Sequence, residues 1–186
     1  MSARRSVLSL IPALRRGEAL PRGAYRTRVE FLEFVIDDVR LGEVIRDRDG
    51  GATVMSDLVS VLVPAWPDGF LVRQARRLMG QAPAELADGR LALYVCSECG
   101  DLGCGAVTVI VHRTGNEVVW ADPGWQTDYE PDVDVEGFEG LGPFRFDRHR
   151  TTRCSRTYCT ATSPNRRGGI VAGAAVRPAG DRADCL

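Results

Sequence analysis

The stretch Cys96-Ser-Glu-Cys99-Gly-Asp-Leu-Gly-Cys104-Gly105 restricts what this chain can fold into more than any other part of it. Three of the six cysteines fall within nine residues, with Gly100, Gly103 and Gly105 among and beside them. An apolar run, Leu91 to Val95, leads in, and a second, Ala106 to Val111, leads out. The length of these runs and their content of Tyr, Val, Ile and Thr suit strands. Glycine tolerates the left-handed backbone that a tight return requires. The segment therefore predicts two neighbouring strands joined by a cysteine-bearing turn.

The remainder reads around that pair. Val29 to Ile36 predicts a strand, Val39 to Arg46 suits either a second strand or a short helix, and Thr53 to Val63 favours strand before Pro64 and Pro67 break the chain. Phe70 to Met79 is the main helix: Phe70, Leu71, Gln74, Leu78 and Met79 share helical spacing, and Arg73, Arg76 and Arg77 form a solvated side. Asp68 suits its N-cap and Gly80 its stop. After Ala106 to His112, Arg113-Thr-Gly-Asn116 predicts a hairpin turn and Glu117 to Trp120 the returning strand. Residues 121–140 read as an acidic loop, and Leu141 to Asp147 as a short strand or docked loop with two aromatic anchors. Strands outnumber helices and the last ones follow short turns. The fold class is thus α+β, a largely antiparallel sheet with one main helix. A single globular domain over 29–150 is expected, between disordered tails at 1–28 and 151–186.

Charge divides along the same boundaries. Residues 1–28 carry seven Arg and one acid, residues 29–150 carry 11 Arg and 22 acids, and residues 151–186 carry six Arg and two acids. An acidic domain disfavours nucleic acid as a partner, because such binding needs basic charge to displace phosphate counterions. All 24 basic residues are Arg, which fits a GC-rich coding sequence and excludes lysine Schiff-base and P-loop chemistry. No stretch approaches the roughly 20 apolar residues of a membrane helix. The apolar stretch Val7 to Leu14 is short, holds Pro12 and ends at Arg15-Arg16, so it makes a poor export signal. A cytoplasmic location follows, where thiols stay reduced.

The cysteine turn admits three readings. Cys96, Cys99 and Cys104 can serve as metal ligands, with zinc the expected ion and His149, Cys154 or His112 as a fourth ligand. Cys99 and Cys104 can act as a redox pair, although the turn leads to a β-branched run and not to the helix N-terminus that lowers a thiol pKa in thioredoxin-type sites. In the third reading the cysteines pack as small apolar residues beneath a structural turn.

Three motifs in order carry a resemblance. The Cys96-x2-Cys99-Gly-Asp-Leu-Gly-Cys104-Gly turn, the Val118-Val-Trp120 strand and the Gly142-Pro-Phe-x-Phe-Asp147 segment together resemble an uncharacterised family of small bacterial proteins. The similarity covers roughly residues 29–150. Some members carry the label oxidoreductase without a mechanism, so the resemblance implies an oxidoreductase by label only. In the family a Tyr-containing C-terminal helix follows the Phe-Asp segment. Here residues 151–186 lack helical patterning, are rich in Arg, Thr, Gly, Ala and Pro, and hold Cys154, Cys159 and Cys185. That composition matches a GC-rich gene read in another frame, which sequencing the gene would decide.

No nucleophile–base–acid set, Walker pattern or Gly-x-Gly-x-x-Gly opening a helix is present. The alternating acids Asp128, Glu130, Asp132, Asp134 and Glu136 lack the fixed Gly and closing Glu of an EF-hand and are interrupted by Pro131. They read as a solvated loop or, in an inhibitor- or immunity-like module, as the contact surface for a protein partner. Trp120, Trp125 and Tyr129 read as buried anchors or the frame of a groove.

Overall fold

The computed structural model describes residues 4–48 and 53–148. Along the chain run β1 (Leu8–Arg15), β2 (Glu18–Ala19), β3 (Tyr25–Arg26), β4 (Val29–Ile36), β5 (Val39–Arg40), α1 (Leu41–Arg48), β6 (Leu58–Ser60), α2 (Phe70–Leu78), β7 (Arg90–Cys96), β8 (Ala106–Thr114), β9 (Glu117–Gln126) and β10 (Phe144–Asp147). The order β10-β9-β8-β7-β6 makes one antiparallel sheet, β1-β4-β5 makes another, and β2 pairs with β3. This is the expected α+β architecture with antiparallel pairing throughout the named strands.

The two larger sheets are joined at both margins. Leu32 N–H donates to Leu62 O at 2.9 Å, and Ser60 Oγ donates to Leu32 O at 2.5 Å. At the other margin Ser6 N–H donates to Arg145 O at 2.7 Å, within a parallel bridge to Phe146. The two sheets thus meet at both margins, β4 against β6 and the residues just after it, and the segment just before β1 against β10. Inside, Phe34 meets the rings of Tyr94 and Trp120 edge-on at 5.7 and 5.3 Å, and Trp120 meets Phe146 at 5.0 Å. The Trp120 indole N–H donates to Leu78 O at 2.9 Å, fastening the C-terminal end of α2 to the sheet.

The basic head is not a disordered tail over the described residues. β1 pairs with β4 along its whole length, from Leu8 opposite Ile36 to Arg15 opposite Val29. Its apolar residues pack on the sheet, and Pro12 is tolerated because β1 is not flanked by a second ladder there. Its arginines meet the acids of the body: Arg5 pairs with Glu117 and Asp147 at 3.2 Å, and Arg26 with Asp57 at 2.7 Å. The opposite charges of head and body are complementary surfaces of one fold. Residues 151–186 lie outside the described residues.

Other expectations are refined. There are two α-helices among the described residues, since Leu41–Arg48 resolves the ambiguous segment as α1. Gly69, in left-handed conformation, occupies the N-cap of α2 without a side-chain cap, so Asp68 does not serve. Gly80 does end that helix: its N–H donates to Arg77 O at 2.7 Å, and its φ of 60° is unfavourable to other residues. Thr53–Ser56 is a 3₁₀ turn, leaving only Leu58–Ser60 as strand. β9 continues six residues beyond Trp120, into what composition marked as loop. No helix among the described residues is long and apolar enough to cross a membrane.

That longer strand depends on Arg90, an arginine only 5 % exposed. The β8–β9 register shifts between Thr108 and Ile110, the β7–β8 register shifts between Ala92 and Tyr94, and Asp122 has a φ of 50°. Arg90 donates from Nε to Thr108 Oγ1 at 2.8 Å and from Nη2 to Thr108 O at 3.1 Å and to Asp122 O. Its guanidinium thus supplies donors where the ladder cannot. Burial lowers the Arg90 pKa while Asp88 and Asp122 oppose the shift. Arg90→Leu is expected to destabilise the fold by about 2–3 kcal/mol, because buried acceptors lose a charged donor. Urea unfolding of both proteins measures this; an unchanged midpoint would refute the role.

Candidate metal centre

β7 delivers Cys96 at its end, and β8 starts two residues after Cys104. Between them the chain makes two small turns. Gly100 N–H donates to Cys96 O at 2.9 Å, and Gly105 N–H donates to Leu102 O at 2.9 Å. Asp101 steadies the second turn by accepting from Gly103 N–H at 2.6 Å. Gly100 and Gly105 have φ of 67° and 89°. A Cβ on Gly100 would lie 2.9 Å from the Trp66 ring, and one on Gly105 only 1.9 Å from Trp125. Both glycines are thus required twice, by backbone conformation and by the indole packed against each.

The result is a cluster of three thiols. The Sγ atoms of Cys96, Cys99 and Cys104 all lie within 4.8 Å of one another, and Cys99 Sγ is 3.5 Å from Cys104 Sγ. All three are free cysteines; Cys96 is half-buried and the other two are exposed. Zinc held tetrahedrally at ~2.3 Å from thiolates sets the sulfurs ~3.8 Å apart, so the observed spacing fits an ion held among them. The cluster could hold a metal ion.

The thiols are not equivalent. Burial pushes the Cys96 thiol up, but the backbone N–H groups of Glu98 and Cys99 and the two neighbouring thiols together bring it below its ordinary value. Donors aimed at sulfur in this way favour the thiolate that a metal needs. Cys104 moves the other way, pushed up to about 11 by its hydrogen bond with Cys99 and by the charge of Cys96 and Cys99. Crowding three thiolates without a cation is unfavourable, and a cation among them removes that penalty.

Two supporting residues carry no motif. Glu98, between the first two cysteines, accepts from Arg15 Nη1 at 3.1 Å and from Thr27 N–H at 3.0 Å. Slight burial pushes its carboxyl up, but these contacts with Thr27 and Arg15 outweigh that and hold it below the usual carboxylate range. The turn is thereby tied to the N-terminal strand. Trp66 packs over Gly100 and meets Phe70 edge-on at 5.1 Å. An indole facing a cysteine turn leaves no spacing signal in a sequence, because its partner lies more than thirty residues away.

Of the suggested fourth ligands, His112 is not brought to the cluster. It is exposed near the far end of β8, roughly 20 Å from Ala106 at ~3.3 Å per residue. His149 and Cys154 lie outside the described residues. The acidic loop folds back on β9: Trp125 N–H donates to Asp134 O at 2.7 Å, and Asp134 N–H returns to Trp125 O at 2.9 Å. Asp128, Glu130 and Asp132 point to solvent, and Asp134 and Glu136 edge a cavity of about 210 Å³ floored by Val107 and Trp125. Trp120 is a core anchor at 1 % exposure, Trp125 is partly buried under Gly105, and Tyr129 is exposed. The chain matches no family model, no curated protein and no solved structure.

Proposed function

We propose that this is a small cytoplasmic zinc-knuckle protein in which Cys96, Cys99 and Cys104 bind the ion as thiolates. The observation that supports this reading is the convergence of three sulfurs within 4.8 Å on a turn whose backbone N–H groups favour the thiolate of Cys96. Held by these residues, zinc would supply Lewis acidity, and the three thiolates would tie the end of β7 to the start of β8. Tetrahedral zinc takes a fourth ligand, and among the described residues no histidine, cysteine or carboxylate joins the three thiols. Cys99 and Cys104 are exposed, so water could complete the coordination of an ion held by the three thiols.

Zinc binding must expel the thiol protons, most firmly held at Cys104. Affinity is therefore expected to rise with pH and fall steeply between about pH 8 and pH 6, with proton release on binding. A competition titration against a chromophoric chelator at several pH values checks this. A pH-independent affinity, or none at all, would contradict thiolate ligation.

A second reading rests on the 3.5 Å separation of Cys99 and Cys104 sulfurs. An oxidoreductase, as the family resemblance implies by label, would close a disulfide there with loss of two electrons and two protons to an external oxidant. Zinc would block that reaction. Thiols that pair readily in zinc-saturated protein would favour this reading over the knuckle.

A further inference from the structure

We propose that the cavity between β1, β4, β5 and α1 binds a small zwitterion, an amino acid or an amino-phosphate, with its ammonium group on Glu33 and its acidic group on Arg46. The site does not use the cysteine turn and stands independently of the zinc reading.

The cavity measures about 320 Å³ and is walled by Leu14 and Phe31, with Glu33, Arg40, Glu43 and Arg46 as its charged lining. Glu33 sits among the apolar residues of β4 and is only 8 % exposed. A buried carboxyl is costly where an apolar residue of similar size would serve. The structure nonetheless surrounds it with donors. Phe34 N–H donates to Oε1 at 2.8 Å, and the fully buried Tyr94 hydroxyl donates to the same oxygen. The Gly42 backbone N–H also faces the carboxyl, and a Cβ on Gly42 would lie 3.0 Å from Oε2. Gly42 thus lets the first turn of α1 approach the acid. A carboxylate offers roughly four acceptor directions, and three donors leave one for a ligand.

The other charges sort themselves. Arg40 and Glu43 pair at 3.5 Å and are both about half exposed. Arg46, exposed on α1 with Glu43, has no ion pair among the described residues. The cavity therefore holds an acid at depth and, in Arg46, a cation without an ion pair at its rim, while the charge of Arg40 is shared between Glu43 and Glu33. A ligand with one positive and one negative end complements both. Burial pushes the Glu33 carboxyl up despite the opposing influence of Tyr94, Phe34, Gly42 and Arg40, so an ammonium group supplies solvation that the fold withholds.

The test is calorimetric titration of the full chain with glycine, L-glutamate and phosphoethanolamine, alongside acetate and ethylamine, which each carry one charge. At least one zwitterion is expected to bind saturably, and the single-charge probes about tenfold more weakly or worse. Arg46→Ala, at an exposed position, and Glu33→Gln, which keeps an acceptor for Tyr94 and Phe34, are each expected to weaken that binding by about tenfold or more. Unchanged melting temperatures would show that the variants fold. No saturable binding by any zwitterion, or binding indifferent to Arg46→Ala, would overturn the proposal.

Discussion

Cys99→Ser is expected to weaken zinc binding by about 100-fold or more, since loss of even an outer-shell partner of a metal ligand costs 10- to 100-fold. Cys99 is the middle thiol of the cluster, 3.5 Å from Cys104 and hydrogen-bonded toward Cys96. A serine hydroxyl stays protonated at neutral pH and is a poor zinc ligand. Because Cys99 is exposed and packs little, metal-free Cys99→Ser protein should unfold at the same denaturant concentration as the metal-free parent. His112→Ala serves as the comparison: this histidine is exposed on the distant part of β8 and should leave affinity unchanged. Equal losses in both variants, or in neither, would remove the cysteine turn from metal binding.

The second large effect concerns the core. Trp120→Ala is expected to destabilise the protein by about 3–5 kcal/mol. Trp120 is 1 % exposed, meets Phe34 and Phe146 edge-on, and donates to the carbonyl that ends α2. Its removal opens a cavity between both sheets and the helix at once. A loss of that size is a large part of the 5–15 kcal/mol typical of a domain. Trp120→Phe keeps a ring but not the N–H, and should cost less, with about 1 kcal/mol from the lost hydrogen bond. Equilibrium urea unfolding of the two variants measures the difference. Comparable stability of Trp120→Ala and the parent would contradict a core organised around this residue.

Much of this fold was legible because local patterns and tertiary contacts agree. The β-rich runs at 29–36, 91–96 and 106–112 became β4, β7 and β8, and the periodicity of 70–79 became α2. The cysteine turn was legible as a turn because its glycines have no other reason to cluster. What it binds was not legible, since ligand convergence is a property of three dimensions. The N-terminal strand is hidden in the sequence for a physical reason. Seven arginines in 28 residues resemble a solvated tail, and the acids that pair with them lie at Asp57, Glu98, Glu117 and Asp147. The extension of β9 was hidden because Asp122, Pro123 and Gly124 are strand breakers, here accommodated by the donors of Arg90. Glu33 does leave a signal in the sequence: it interrupts the apolar run Phe31–Ile36 of a strand whose other acid, Glu30, is exposed. A charge in such a place marks either a partner in the core or a ligand, and Tyr94 is the first of these.

The architecture also links the cysteine turn to the N-terminal strand. Arg15 closes β1 and reaches both Glu98 in the turn and Thr27 O at 2.9 Å. An ion that ordered the turn would therefore also support β1, since whatever binds the folded state alone stabilises it.

The most direct measurement is zinc-edge X-ray absorption of the full chain purified without chelator. The account predicts one zinc per chain with three sulfur neighbours at about 2.3 Å and one lighter neighbour at about 2.0 Å. Zinc surrounded by nitrogen and oxygen alone, or protein without zinc whose Cys96, Cys99 and Cys104 thiols all titrate freely in its presence, would contradict it.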